Sequence, residues 1–362
     1  MDSVPISFWE EIFSNDTLAW QFHEIENNFP EPWKTLAKKY ASKRLHFNVS
    51  FPPGHGEWSC WMEILRGHDY KKTLDYILAL GRRYVRCRSI TIGEQIDPQF
   101  ATEICRRKED FTDKLLPLLI RKPPLNLAFW CQCPRETVVA YLDIFQHTFV
   151  FGSLDIPYCG QQSVDFLAAQ LSNNPFLRIL YLVSSIDPWP HTEVNEELVV
   201  QFLTSEKYVS EEERRVSIHS RVYEQDESAL KVTLKMVKAA FDKWYQSEIR
   251  RVNVGGPVGV TMEEILSLPV PEDVERTEAV SMGSEGNASF VRFFRAEGSC
   301  LMCNFNEGLY FYVEGIHQKT QLPFNEADHY FDFEADSEWC SDGYYKEWPE
   351  PAHDDDRSDA SS

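Results

Sequence analysis

The segments "SLDIPYC" (153–159) and "RILYLVSS" (178–185) share one form: apolar residues at alternate positions, a turn, then a helical run. Leu154 with Ile156, and Leu180 with Leu182, have the period that puts side chains on one face of a strand. The pattern continues outward. Short strands are expected to start at Ile90, Leu125, Leu154, Leu180, Val216 and Val252, in steps of 35, 29, 26, 36 and 36 residues. The intervening runs are amphipathic. Val164, Leu167, Ala168 and Leu171 share a helical face. So do Val138, Tyr141, Leu142 and Phe145 within 134–147, and Leu230, Leu234, Val237, Phe241 and Trp244 within 226–247.

A strand–helix unit of this size cannot bury both faces alone, whereas units stacked through right-handed crossovers share a continuous core. The expected class is therefore α/β. An ordinary parallel sheet gives the same alternation. The repeat favours stacked units, and the ligand fingerprint of a doubly wound sheet is missing. Residues between the apolar strand positions then form a row on the other face: Thr91, Asn126, Asp155, Tyr181, Ser217 and Asn253. That row is the expected target-binding surface, with Tyr181 as its anchor.

The two central units resemble the leucine-rich-repeat pattern L-x-L-x-x-N/C at Leu154, Ile156 and Cys159 and at Leu180, Leu182 and Ser185. The resemblance extends over roughly 88–270 and implies a β/α solenoid whose strands line a concave face. Residues 46–270 are assigned to this domain. Beyond it, strand-like runs in 288–315 are separated by Glu-Gly at 297–298 and 307–308, which are hairpin signals. They suggest an antiparallel β cap over 271–345 that covers the last repeat. Residues 346–362 read as an acidic disordered tail, dispensable for folding because it has little apolar area to bury.

The chain has 362 residues, enough for one large or two modest domains, and 43% hydrophobic and 26% charged residues, a globular balance. Its net charge of −21 argues against nucleic acid as the main partner. Residues 323–362 alone hold thirteen acidic and two basic side chains. No stretch approaches the roughly 18 apolar residues of a membrane helix, and the N-terminus lacks the features of a secretory signal. Nine cysteines at irregular spacings suit reduced thiols in cytoplasm or nucleus. The sequons at Asn15, Asn48 and Asn287 are then chance matches.

Motifs with chemical potential are weak. Cys300-x-x-Cys303 has metal-like spacing but lacks a second pair, and in an extended strand the two thiols point to opposite faces. "VNVGGPVGVTMEEIL" (252–266) mimics a phosphate loop without its Gly-Lys-Ser/Thr ending. "DHYFDFEAD" (328–336) lacks the order of a calcium loop, and neither His219 nor His317 has a carboxylate four residues away. No catalytic residue, metal or cofactor is expected. "GRRYVRCR" (81–88) carries four arginines and reads as a solvated edge or a docking patch.

The first 45 residues are the remaining puzzle. "VPISFWEEIF" (4–13), "TLAWQFHEI" (17–25) and "PWKTLAKKYASKR" (32–44) read as three short helices with more large apolar side chains than so small a core can cover. Val4-Pro5, Phe8-Trp9, Ile12-Phe13 and Trp33-Lys34-Thr35-Leu36-Ala37 resemble, in order, the motif of an F-box; "NNFPEP" (27–32) departs from its usual middle. The resemblance covers 1–45. With the repeats behind it, the chain looks like the F-box-like families expanded in nematodes. That implies docking to the Skp-type linker of a cullin–RING ubiquitin ligase through Pro5, Phe8, Ile12, Phe13 and Trp33, with the repeats holding the protein to be ubiquitylated. The other reading makes residues 4–44 an N-terminal cap on a non-ligase protein-binding scaffold.

Overall fold

Each apolar-alternating segment becomes a strand of one sheet. The computed structural model describes residues 30–316 apart from 57, 66–72, 81–83, 121–124, 131–132, 207–212, 221–227, 247–250, 284–285, 297 and 307–309. The expected helices within 4–29 and the tail from 317 onward lie outside the described residues. The strands are β1 (Leu45–Phe51), β2 (Cys60–Ile64), β3 (Val85–Ile92), β4 (Ala101–Cys105), β5 (Leu125–Phe129), β6 (Phe151–Pro157), β7 (Ile179–Ser184), β8 (Glu213–Ser220), β9 (Arg251–Pro257), β10 (Val274–Gly283), β11 (Gly286–Arg295), β12 (Cys300–Asn306) and β13 (Tyr310–Ile316). They form a 13-stranded open sheet in the order β10-β11-β12-β13-β9-β8-β7-β6-β5-β3-β1-β2-β4.

The centre, from β1 through β3, β5, β6, β7 and β8 to β9, is parallel and runs in chain order without a reversal. All six expected strand starts fall within these parallel strands. The parallel run begins one strand earlier than the repeat pattern, at β1. Strands β2 and β4 extend that edge antiparallel. At the other edge β13 pairs antiparallel with β9, and β12, β11 and β10 follow as hairpins. The expected cap strands thus continue the same sheet along the edge of β9.

The helices are α1 (Trp33–Lys43), α2 (Leu74–Ala79), α3 (Leu116–Leu119, continuing a π-helical turn at Asp110–Leu115), α4 (Arg135–Phe145), α5 (Gln161–Asn173), α6 (Glu193–Thr204), α7 (Leu234–Gln246) and α8 (Met262–Leu266). From α4 to α8 each helix packs beside the next in one layer. Thr233 Oγ1 donates to Glu196 at 2.5 Å and Lys235 Nζ to Glu197 at 2.5 Å, tying α7 to α6. The stripes meet the strand rows as their period requires: Val138, Tyr141, Leu142 and Phe145 from α4 and Val237, Phe241 and Trp244 from α7 join the same core as Leu154, Ile156, Leu180, Leu182, Val216, Ile218, Val252 and Val254. Burial of each such large side chain is worth about 1.5–3 kcal/mol.

The expected helix within 226–247 starts later than its apolar period suggests. Leu230 is buried but extended, its amide donating to Trp189 O at 2.6 Å, and Ala229 and Val232 make isolated bridges to Pro190 and Val258. Thr233 Oγ1 then accepts from the Met236 amide at the mouth of α7. A cap residue overrides the preceding apolar position.

One close approach fixes how the antiparallel strands meet the helices. A Cβ on Gly315 of β13 would lie 2.7 Å from Val252 Cγ1 and 2.8 Å from Trp244 Cδ1. Gly315→Ala is therefore expected to cost about 1–3 kcal/mol through overpacking and to lower the thermal midpoint by several degrees. An unchanged midpoint in calorimetry would show that Trp244 has room to swing aside.

Candidate functional site

Alternation along the parallel strands leaves a second sheet face, turned away from the apolar rows that meet the helix layer. Its residues can be placed by register. One line across the sheet runs Ser50, Thr91, Ala128, Asp155, Tyr181, Ser217, Gly255 and Tyr312. The adjacent line runs Ser89, Asn126, Ser153, Ile179, Arg215, Asn253 and Glu314. The six residues expected to share one row all belong to this face, but to two lines. Thr91, Asp155, Tyr181 and Ser217 stand together, whereas Asn126 and Asn253 sit one pleat earlier.

The face is electrostatically uneven. Toward β1–β6, Glu94 accepts from Thr91 Oγ1 at 2.5 Å and Ser50 Oγ at 3.2 Å, and those hydroxyls stand 2.7 Å apart. Burial raises the Glu94 pKa, partly offset by these hydroxyl bonds. Toward β8 and β13, the Arg215 guanidinium lies 5.9 Å from the Tyr181 ring centre, the His219 ring lies 5.7 Å away, and Arg251 Nε is 3.0 Å from Glu314 Oε1. Between the two halves is Asp155, half-buried, whose pKa burial pushes up to about 7. Arg215 and His219 were legible at two residues either side of Ser217. Glu94 and Glu314 carried no signal in the sequence.

The other candidate motifs resolve on packing. Cys300 and Cys303 lie on strand β12, where three residues' separation places them on opposite faces. Burial pushes the Cys300 thiol up to about 11 and Cys303 higher still. The seven cysteines among the described residues are free and buried. Among the described residues no group of three or more His, Cys, Asp or Glu is placed to hold a metal ion. The glycines after Val254 serve close packing: a Cβ on Gly256 would lie 2.8 Å from Ile218 Cβ. Helix α8 that follows has its first turn closed by a Thr261–Glu264 capping box, putting a carboxylate where a phosphate loop would hold its anion. Arg86 of the expected solvated arginine edge is buried, donating to Val85 O at 2.7 Å, while Arg88 is exposed. Residues 328–336 lie outside the described residues.

Of the expected linker contacts, Pro5, Phe8, Ile12 and Phe13 lie outside the described residues. Trp33 opens α1 and is buried with Leu36, Ala37, Tyr40 and Tyr84 in a small cluster of its own. The Tyr40 and Tyr84 rings are 5.2 Å apart, and Lys43 Nζ lies 5.7 Å from the Tyr84 ring centre. Among the described residues no helix is long and apolar enough to cross a membrane. No protein-family model, curated protein or solved structure matches the chain.

Proposed function

We propose that the chain is a protein-binding adaptor that captures a target on the second sheet face and presents it to a ubiquitin ligase. The observation that carries the first half is the seven-strand parallel run in chain order. A sheet without an order reversal has no switch-point crevice of the kind that holds small ligands in doubly wound folds. Its second face instead carries a line of polar and aromatic side chains in which Thr91, Ala128, Asp155 and Tyr181 are half-buried and Ser50, Ser217 and, one pleat away, Asn253 are buried, a narrow strip suited to an extended protein segment. Stacking of this kind also supports the leucine-rich-repeat-like solenoid reading. The second half rests on the F-box resemblance of residues 4–37, through which the Skp-type linker and its cullin would be recruited. The adaptor itself needs no catalytic residue and no cofactor.

The burial of Trp33 favours a second reading for the N-terminal segment. Through Tyr40, whose ring lies 5.2 Å from that of Tyr84 just before β3, the α1 cluster that includes Trp33 is tied to the sheet domain. Residues 4–44 would then cap a non-ligase scaffold. Affinity purification of the tagged full chain with mass spectrometry separates the two. Linker and cullin subunits are expected to co-purify with the target. Recovery of a target without them overturns the ligase half and leaves the scaffold.

A further inference from the structure

Four acids on or against the second face have a donor built into the chain. Glu63 accepts from Asn48, Glu103 from Ser59 and Arg106, Glu94 from Thr91 and Ser50, and Glu314 is paired with Arg251. Asp155 differs. Its Oδ1 is shielded from water and accepts no hydrogen bond, although the residue as a whole is half-buried. A buried acceptor left unmade is costly, and burial of a lone carboxylate more so. The groups around it do not supply the missing donor. From β5 come Asn126 and Ala128, from its own strand Ser153 and Pro157, and from β7 Ile179 and Tyr181. Glu94 lies beyond Thr91 on one side, and Arg215 and His219 lie against the far side of Tyr181. Burial is the cause of its raised pKa, with no contribution from a nearby charge.

We propose that Asp155 is the charge-reading anchor of this face, receiving a lysine or arginine side chain of the captured protein between Ala128 and Tyr181. The proposal rests on the reading of the face as a protein-binding surface. Three observations select a cation over a neutral donor. The acceptor is a carboxylate, its neighbours on the row toward β5 are small, and a chain of net charge −21 draws cations toward it. A bound cation would favour the charged carboxylate. Its pKa of about 7 in the free chain would then fall on binding, and capture would strengthen as pH rises through 7.

The test uses the full chain with carbon-13 label, the Asp155 carboxyl resonance being assigned by its loss in Asp155→Asn. The probes are n-butylammonium and ethylguanidinium, the ends of lysine and arginine, with n-butanol as neutral control. The Asp155 titration midpoint is expected to fall by about one unit or more with either cation, a tenfold preference for the charged form, and to stay put with n-butanol. A midpoint indifferent to both cations overturns the proposal. A second arm measures capture of the proteins that co-purify with the wild-type chain. Asp155→Asn is expected to weaken capture about tenfold or more at pH 8 and to remove its pH dependence. If Asp155→Asn captures like wild type while Tyr181→Ala does not, the anchor is wrong and the face stands. If both variants capture like wild type, the face reading falls too. Folding offers its own control. A carboxyl with a raised native pKa stabilises the fold when protonated, and that contribution is lost as pH rises through the native value. Asp155→Asn should therefore be at least as stable as wild type at pH 8.

Discussion

Trp244→Ala is expected to cost about 3–5 kcal/mol, the range for emptying a large aromatic site in a core. Trp244 is 1% exposed, stands 5.7 Å from the Phe241 ring, and lies over Gly315 of β13. Phe241 in turn meets Phe293 of β11 edge-on at 5.2 Å. One turn of α7 therefore reaches both β13 and β11 of the antiparallel strands. Truncating Trp244 opens a cavity beside a glycine that has no side chain with which to fill it. Against a total stability of about 5–15 kcal/mol, such a loss leaves a marginal protein. Chemical denaturation should show the midpoint moving to much lower denaturant. A loss under about 1 kcal/mol would mean that the neighbouring aromatics collapse into the space.

The second large effect concerns the N-terminus. Pro5→Ala with Ile12→Ala is expected to lower affinity for a Skp-type linker more than a hundredfold. Each buried large side chain is worth roughly 1.5–3 kcal/mol, and every 1.4 kcal/mol is tenfold in affinity. The sheet domain has its own core and should melt as in the wild type. Trp33→Ala makes the contrast. Because Trp33 is packed with Tyr40 and Tyr84, its removal should lower the melting temperature whether or not a linker binds. Binding of the linker that is unchanged in the double variant, or a wild type that binds none, removes the ligase reading.

Much of the parallel sheet was legible because Leu154-x-Ile156 and its counterparts repeat at intervals that leave room for one helix each. Strand β1 has an equally clear alternation, Leu45, Phe47, Val49 and Phe51, but lies beyond the first complete strand–helix unit, where a repeat search has nothing to align it to. Strands β2 and β4 have only five residues each at an edge, too short for a period to declare itself. The binding row shows a different limit. Alternation fixes which face a residue occupies, but the length of each crossover fixes how far along the strand it sits. Ser217 and Asn253 each follow the first valine of an apolar pair, so they look equivalent. Pairing sets Ser217 against Gly255 and Asn253 against Arg215 instead. On β5 an irregularity between Leu125 and Asn126 helps to bring Ala128, not Asn126, beside Asp155. Nothing in a linear pattern reports how deeply a carboxylate is surrounded, so the depth of Asp155 appeared only in three dimensions.

The chain-ordered sheet also sets a timetable for synthesis. From β5 to β9 each new strand can pair with the one made just before it, so the sheet can grow at its edge as the chain is made. That rhythm breaks at β9. Its next partner is β13, and residues 258–309 must be made before Tyr310–Ile316 can close the edge. Throughout that interval a nascent chain exposes β9, whose "VNVGG" has no charge to deter pairing with another copy. Ribosome stalling or a stop codon within this window should yield aggregates, whereas a stop past Ile316 should not. The hairpins thus act as the intramolecular chaperone of the strand that precedes them.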